Sequence, residues 1–208
     1  MTETGLRERK KQRTREAIVD AALRLFEERG FDQTTIADIA EAADIAPRTF
    51  FGYFPSKEDV VFADFPIFFD ALAARLRDRA EGETAIDAIR AWIGGLLDEM
   101  DLTDDRERCR KRLIGESEAL AAHKRALMGG VEELLAENLA RDLGDRSDDV
   151  RPRVIASAVI GALGALDVKG VEESEAAPTK GEALAMVDEA LTFLRGGMEA
   201  LRRAEPAG

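Results

Sequence analysis

Between Gly30 and Pro55 the chain is punctuated so closely that only short helices fit, joined by a tight turn. Ile18, Ala21, Ala22, Leu25 and Phe26 recur at helical spacing, and Gly30 supplies the stop expected just past a helix end, so a first helix is predicted over 8–29. Ile36, Ile39, Ala40 and Ala43 then share one face of a short helix over 36–43. That helix opens on Thr35-x-x-Asp38, a variant of the capping box that satisfies otherwise orphan N–H groups. Asp44 and Ile45 make a tight break, and Pro47 sits where a first-turn proline is welcome. Pro55 ends a third helix of one to two turns, 47–52 or 47–53. A helix, a short turn and a second short helix within 35–54 make the footprint of a helix-turn-helix. Its second helix enters the major groove of DNA while its first crosses the backbone.

The rest of the chain is also helical in period. Ser56-x-x-Asp59 opens a predicted long fourth helix carrying Val60, Val61, Phe62, Phe65, Phe68, Phe69, Leu72 and Leu76, with Pro66 inside it as a kink. Further helices are predicted at 84–100, 104–121, 122–143, 148–168 and 181–203, separated by polar breaks. No strand-like alternation persists, and Ala, Leu, Glu and Arg dominate over Pro and Tyr. The expected fold is all-α, with about nine helices.

A net charge of −12 argues at first sight against a nucleic-acid partner. Its distribution reverses that. Residues 1–57 hold ten Lys/Arg and ten Asp/Glu, so the whole negative excess lies downstream. Within residues 6–15, Arg7, Arg9, Lys10, Lys11, Arg13 and Arg15 face a single acid, Glu8. This is either a local electrostatic footprint for a polyanion or a solvated helix start.

Several classes are disfavoured. The first fifteen residues lack the apolar stretch of a secretory signal, and 154–166, the longest uncharged run, is too short to span a bilayer. The single Cys109 forms no internal disulfide and suits a reducing, cytoplasmic setting. With one His, one Cys, no nucleophile elbow, no phosphate-binding Gly loop and no metal-spaced ligand pair, neither an enzyme nor a cofactor is expected.

The stretch from Thr34 through Ala43, followed by Ile45-Ala46-Pro47-Arg48-Thr49-Phe50-Phe51-Gly52-Tyr53-Phe54-Pro55-Ser56-Lys57-Glu58, resembles the signature of TetR-family regulators, and the similarity extends back through Leu25-Phe26-Glu27-Glu28-Arg29-Gly30-Phe31. The resemblance covers about fifty residues of 208. It implies an N-terminal three-helix helix-turn-helix DNA-binding domain over 1–55 and a larger helical ligand-binding and dimerisation domain over 56–208. The implied function is a repressor that binds a palindromic operator as a homodimer and is released by a small-molecule effector. A ligand-independent DNA-binding protein controlled by a protein partner is the alternative.

The resemblance places Thr35 against a phosphate at a helix start. Pro47 and Arg48 stand at the exposed start of the reading helix, where Arg48 suits guanine O6 and N7. Thr49 and Tyr53 fit phosphate contacts, and Phe51 fits a thymine methyl. Lys57 in a first helical turn opposes the helix dipole by roughly 0.3–1 kcal/mol, a penalty that a bound phosphate would reverse. Where many relatives carry Leu-Tyr before an aromatic or His, this chain has Phe50-Phe51-Gly52. Gly52 is therefore expected to loosen the reading helix and remove one side chain from its surface.

Near the C-terminus, Val154, Ala158, Gly161, Ala165 and Val168 form one apolar stripe, and Leu184, Val187, Leu191, Leu194, Met198 and Leu201 another. The helix bearing the first stripe is apolar nearly all round, which requires burial on both faces. The resemblance assigns 148–168 and 181–203 to a homodimer bundle. Phe65, Phe68, Phe69, Trp92, Leu96, Met100, Leu127 and Met128 are candidate effector-lining residues, with His123 or Arg112 as polar anchors; plain core is the competing reading. Gly94-Gly95 and Gly129-Gly130 either kink helices, make room for a ligand or mark breaks.

Overall fold

The computed structural model describes residues 3–99, 104–172 and 179–203; the candidate Met100 lies outside them. They form α1 (Glu3–Arg29), α2 (Ile36–Ala42), α3 (Pro47–Phe50), α4 (Lys57–Val61), α5 (Phe65–Arg77), α6 (Ala85–Glu99), α7 (Asp105–Glu116), α8 (Glu118–Leu143), α9 (Val150–Glu172) and α10 (Lys180–Arg203). The all-α expectation holds. Ten helices replace about nine because the expected fourth helix is two. Residues 62–64 are a turn, with the Phe65 N–H donating to the Phe62 carbonyl at 3.0 Å. Pro66 therefore does not kink a continuous helix; it lies in the first turn of a new one, where its missing N–H would have had no helical partner.

The chain divides into two compact units, Met1–Phe65 with Asp104–Arg125, and Pro66–Thr103 with Ala126–Gly208. In the first, Ile18, Ala22, Leu25 and Phe26 of α1 meet Ile39, Phe50, Phe54, Val60 and Val61 in one buried cluster. Cys109 and Leu113 of α7 and Leu120 of α8 complete it. Each such large side chain contributes about 1.5–3 kcal/mol on full burial. α1 stops at Gly30, whose φ of +86° suits a residue with no Cβ and whose N–H returns to the Phe26 carbonyl at 2.9 Å.

In the second unit, α10 packs on α9 and α6, and Ile86, Ile89, Leu135, Leu139, Ile155, Val159, Val187 and Leu191 are buried. Asp142 pairs with Arg79 at 2.7 Å and accepts the Ala85 N–H at 2.6 Å, placing a carboxylate at the start of α6. Arg90 and Asp188 tie α6 to α10 through two bonds of 2.6 and 2.8 Å. Both glycine pairs lie inside continuous helices, so neither marks a break. A Cβ on Gly130 would stand 3.9 Å from the Phe69 ring, and one on Gly94 would stand 4.0 Å from Leu184.

Candidate nucleic-acid interface

The turn between α2 and α3 is set by main-chain chemistry. The Ile45 N–H returns to the Ala40 carbonyl at 2.9 Å and the Asp44 N–H to Glu41 at 3.1 Å, a Schellman closure that requires a left-handed residue. Asp44 fills that place at φ +53°, a region that Asp tolerates better than most side chains. Ile45 folds back against the core cluster, and the chain enters α3 with Pro47 in the first turn.

α3 is anchored by one side chain. Phe50 is 0% exposed and packs edge-on against Phe51 and tilted against Phe54, with ring centroids 5.7 and 6.0 Å away. With Phe50 as the inward anchor, Pro47, Arg48, Thr49, Phe51 and Gly52 stand exposed together, while Tyr53 is half-buried against the core. Phe51 is 58% exposed, a large apolar ring left in solvent. Gly52 lies beyond the end of α3, so it does not loosen the helix as expected. Its N–H donates to the Thr49 carbonyl at 3.0 Å, and a Cβ there would come within 3.2 Å of the same oxygen. The site favours glycine for close approach.

Thr35 caps α2. Its hydroxyl accepts the Asp38 N–H at 3.1 Å, and its own N–H donates to the Asp38 carboxylate at 2.8 Å. The bonds from Thr35 hold the Asp38 carboxyl below its usual pKa. Ser56 caps α4 in a similar way, accepting the Asp59 N–H at 3.2 Å. Lys57, the first residue of α4, has an intramolecular role that its dipole-opposed position did not reveal. Its ammonium donates to the carbonyls of Phe31 at 2.7 Å and Thr34 at 3.1 Å, and lies 4.3 Å from the Phe31 ring centroid. Those two acceptors use two of its three protons.

Two further residues hold this surface and had no sequence signal of their own. Thr34 is buried and donates to the Gly30 carbonyl at 2.8 Å, fixing the loop between α1 and α2. Arg15, one of the six basic residues near the start, donates to the Ala63 carbonyl and sits 5.0 Å from the Phe54 ring centroid. Arg7, Arg9, Lys10, Lys11 and Arg13 are exposed.

The candidate effector residues fall in both units. Phe65 and His123 belong to the first, and Phe68, Phe69, Trp92, Leu96, Leu127 and Met128 to the second. His123 stacks on Phe62 with ring centroids 5.3 Å apart, and its Nε2 lies 3.3 Å from the Asp59 carboxylate. Arg112 is exposed and paired with Glu27 of α1. Apart from Arg112 and Phe68, which are exposed, every described candidate is half-buried. On α9 the stripe residues Val154, Ala158 and Gly161 are exposed, while Ile155, Ala156 and Val159 on the other side of the helix are buried; the side chains of Ala165 and Val168 lie outside those described. Among the described side chains of α10, Val187 and Leu191 turn inward to their own subunit rather than outward, and Phe193 is left exposed, at 82%; those of Met198 and Leu201 lie outside the described ones.

Residues 18–63 match the model of the bacterial regulatory proteins of the tetR family, and residues 83–199 match that of the MftR C-terminal domain. The chain is 37% identical over 167 residues to the HTH-type transcriptional regulator TcmR of Streptomyces glaucescens, covering 77% of this chain and 74% of TcmR. It is 31% identical over 153 residues to MftR of Mycobacterium tuberculosis, a regulator whose name ties it to mycofactocin biosynthesis, covering 74% and 77% of the two chains. Among solved structures, Thermus thermophilus FadR in complex with lauroyl-CoA aligns with a TM-score of 0.58 at 25% identity, over 88% of this chain and 94% of FadR.

Proposed function

Because the chain belongs to the TetR family of bacterial transcriptional regulators, we propose that it is a repressor that binds a palindromic operator as a homodimer and is released by a small-molecule effector. The observation that carries this reading is the exposed cluster on and just past α3. Pro47, Arg48, Thr49, Phe51 and Gly52 are held outward by a fully buried Phe50. An arginine, a hydroxyl and a bare aromatic ring on one short helix match the contacts that read guanine, phosphate and thymine methyl. Thr35, Tyr53 and Lys57 flank them. Lys57 retains one proton for a phosphate while its other two hold the loop.

In this reading residues 1–55 read DNA, and residues 56–208 sense the effector and form the dimer. The exposed faces of α9 and α10, with Val154 59% and Phe193 82% exposed, favour a covering second copy. FadR was solved with lauroyl-CoA, a ligand with a long apolar chain. The half-buried Phe69, Trp92, Leu96, Leu127 and Met128 favour an apolar effector here too. Helix α7 belongs to the sensing part by sequence, yet Cys109 and Leu113 are buried in the same cluster as the reading helices. Effector binding would shift the population away from the DNA-competent state. The protein would act in the cytoplasm, where its DNA lies.

The test is selection from a random duplex library with the full chain at a fixed salt concentration. An enriched palindrome with half-sites about 34–36 Å apart is expected. Only unselective, salt-sensitive binding would remove the reading. A metabolite that raises the melting temperature should also lower operator affinity, and operator should weaken its binding by the same factor.

A further inference from the structure

We propose that the N-terminal part of α1, residues 5–13, is a second DNA-binding element that grips backbone phosphates outside the bases read by α3. This rests on the operator-binding reading above. Arg7, Arg9, Lys10, Lys11 and Arg13 all stand in solvent, and among the described residues none of the five is in an ion pair. Their spacing puts like charges four residues apart twice, Arg7 with Lys11 and Arg9 with Arg13, an arrangement that opposes helix formation in free solution. A polyanion laid along this face reverses that repulsion. No apolar side chain of the segment reaches the core cluster, whose first member in the chain is Ile18. The helix therefore extends as a charged arm beyond the packed head.

The arm is rooted beside the reading surface. Arg15 bonds to the Ala63 carbonyl and lies 5.0 Å from the ring centroid of Phe54, which follows Tyr53 at the end of the reading segment. From Arg15 back to Glu3 the helix spans about 18 Å at 1.5 Å per residue, roughly half a turn of DNA. The element carries no base-reading geometry. It supplies sequence-independent affinity, which an otherwise acidic chain of net charge −12 requires if it is to approach a duplex.

The probe is the selected palindrome, placed in duplexes with either short or long flanks of unrelated sequence. Binding of the full chain is followed by fluorescence anisotropy across a series of KCl concentrations. The variant R7A/K10A/K11A/R13A is expected to bind the long-flank duplex about tenfold or more weakly at low salt. The slope of log affinity against log salt should fall by about 0.9 for each phosphate given up. Base preference should stay unchanged. Trimming the flanks should weaken the wild type but not the variant, and R7K/K10R/K11R/R13K should behave as wild type. The exposed positions leave the fold intact, checked by matching melting curves. Equal salt slopes and equal flank dependence in wild type and alanine variant would overturn the arm. So would a rise in affinity, which would mean that the arm pairs with the acidic part of the protein itself. A wild-type chain that selects no sequence fails the operator reading instead, before any variant is compared.

Discussion

Lys57 lies 4.3 Å from the centroid of the Phe31 ring and donates to the carbonyl oxygen of the same residue at 2.7 Å. Together with its bond to Thr34, this makes the first residue of α4 a clasp on the loop that delivers Thr35 to the start of α2. Replacing it with Met keeps the aliphatic stem and removes the charge. Charge-assisted hydrogen bonds contribute about 1.5–3 kcal/mol and a cation over a ring about 0.5–2. Lys57 is only half-buried, and solvent screening reduces the sum, so Lys57→Met should cost about 2 kcal/mol, or roughly 4–8 °C in melting temperature for a chain of this size. Calorimetry of the two proteins checks this. An unchanged melting temperature would leave Lys57 with a role on DNA alone.

Arg48 gives the opposite profile. It is exposed on α3 with Phe50 doing the anchoring, so Arg48→Ala should leave the melting curve within about 0.5 kcal/mol of wild type. Binding should weaken by about 1–3 kcal/mol on the selected operator. Sequencing of the selected pool should show relaxed preference at one base pair per half-site. Uniform weakening across all sequences would move Arg48 from the bases to the phosphates.

Asp38 sets a pH dependence. Hydrogen bonds from Thr35 hold its folded-state pKa below the unfolded carboxylate value, so folding is favoured while the group is ionised. That contribution is complete above the ordinary carboxylate range near pH 4 and is lost as pH falls through the depressed native value. Urea midpoints followed downward from pH 5 should show a decline that is shallower in Asp38→Asn. Parallel curves for the two proteins would assign the acid sensitivity to other carboxylates.

Phe193 tests the assembly. Its ring is 82% exposed while Leu191, two residues away, is 2% exposed, so the side chain belongs to the outer face of α10. Phe193→Glu should leave the subunit folded and shift it to a monomer in sedimentation at micromolar concentration. A dimer that persists would place the interface elsewhere.

The reading region was legible because its signals are local. Thr35-x-x-Asp38, the Asp44-Ile45 break and Pro47 each act within one turn of chain, and each appears where its chemistry places it, whereas α3 stops at Phe50, short of the end expected from Pro55. The expected continuous helix over Pro66 failed for a related reason. Proline tolerates a first turn as well as it kinks an interior, and only the turn at 62–64 decides between them. The roles of Lys57, Thr34 and Arg15 were hidden because their acceptors are main-chain carbonyls, which carry no residue identity to read. The inward turn of Val187 and Leu191 was hidden for another reason. An apolar stripe specifies that it must be covered, not by which chain.

The α7 segment sits in one buried cluster with helices more than forty positions earlier in the chain, and this bears on how such regulators can be rebuilt. Grafting residues 1–65 onto the body of a relative would set Ile18, Leu25 and Phe26 against a foreign counterpart of Cys109, Leu113 and Leu120. A chimera made to redirect operator choice must carry 104–125 along with the head. Otherwise its new specificity arrives on a misfitted socket.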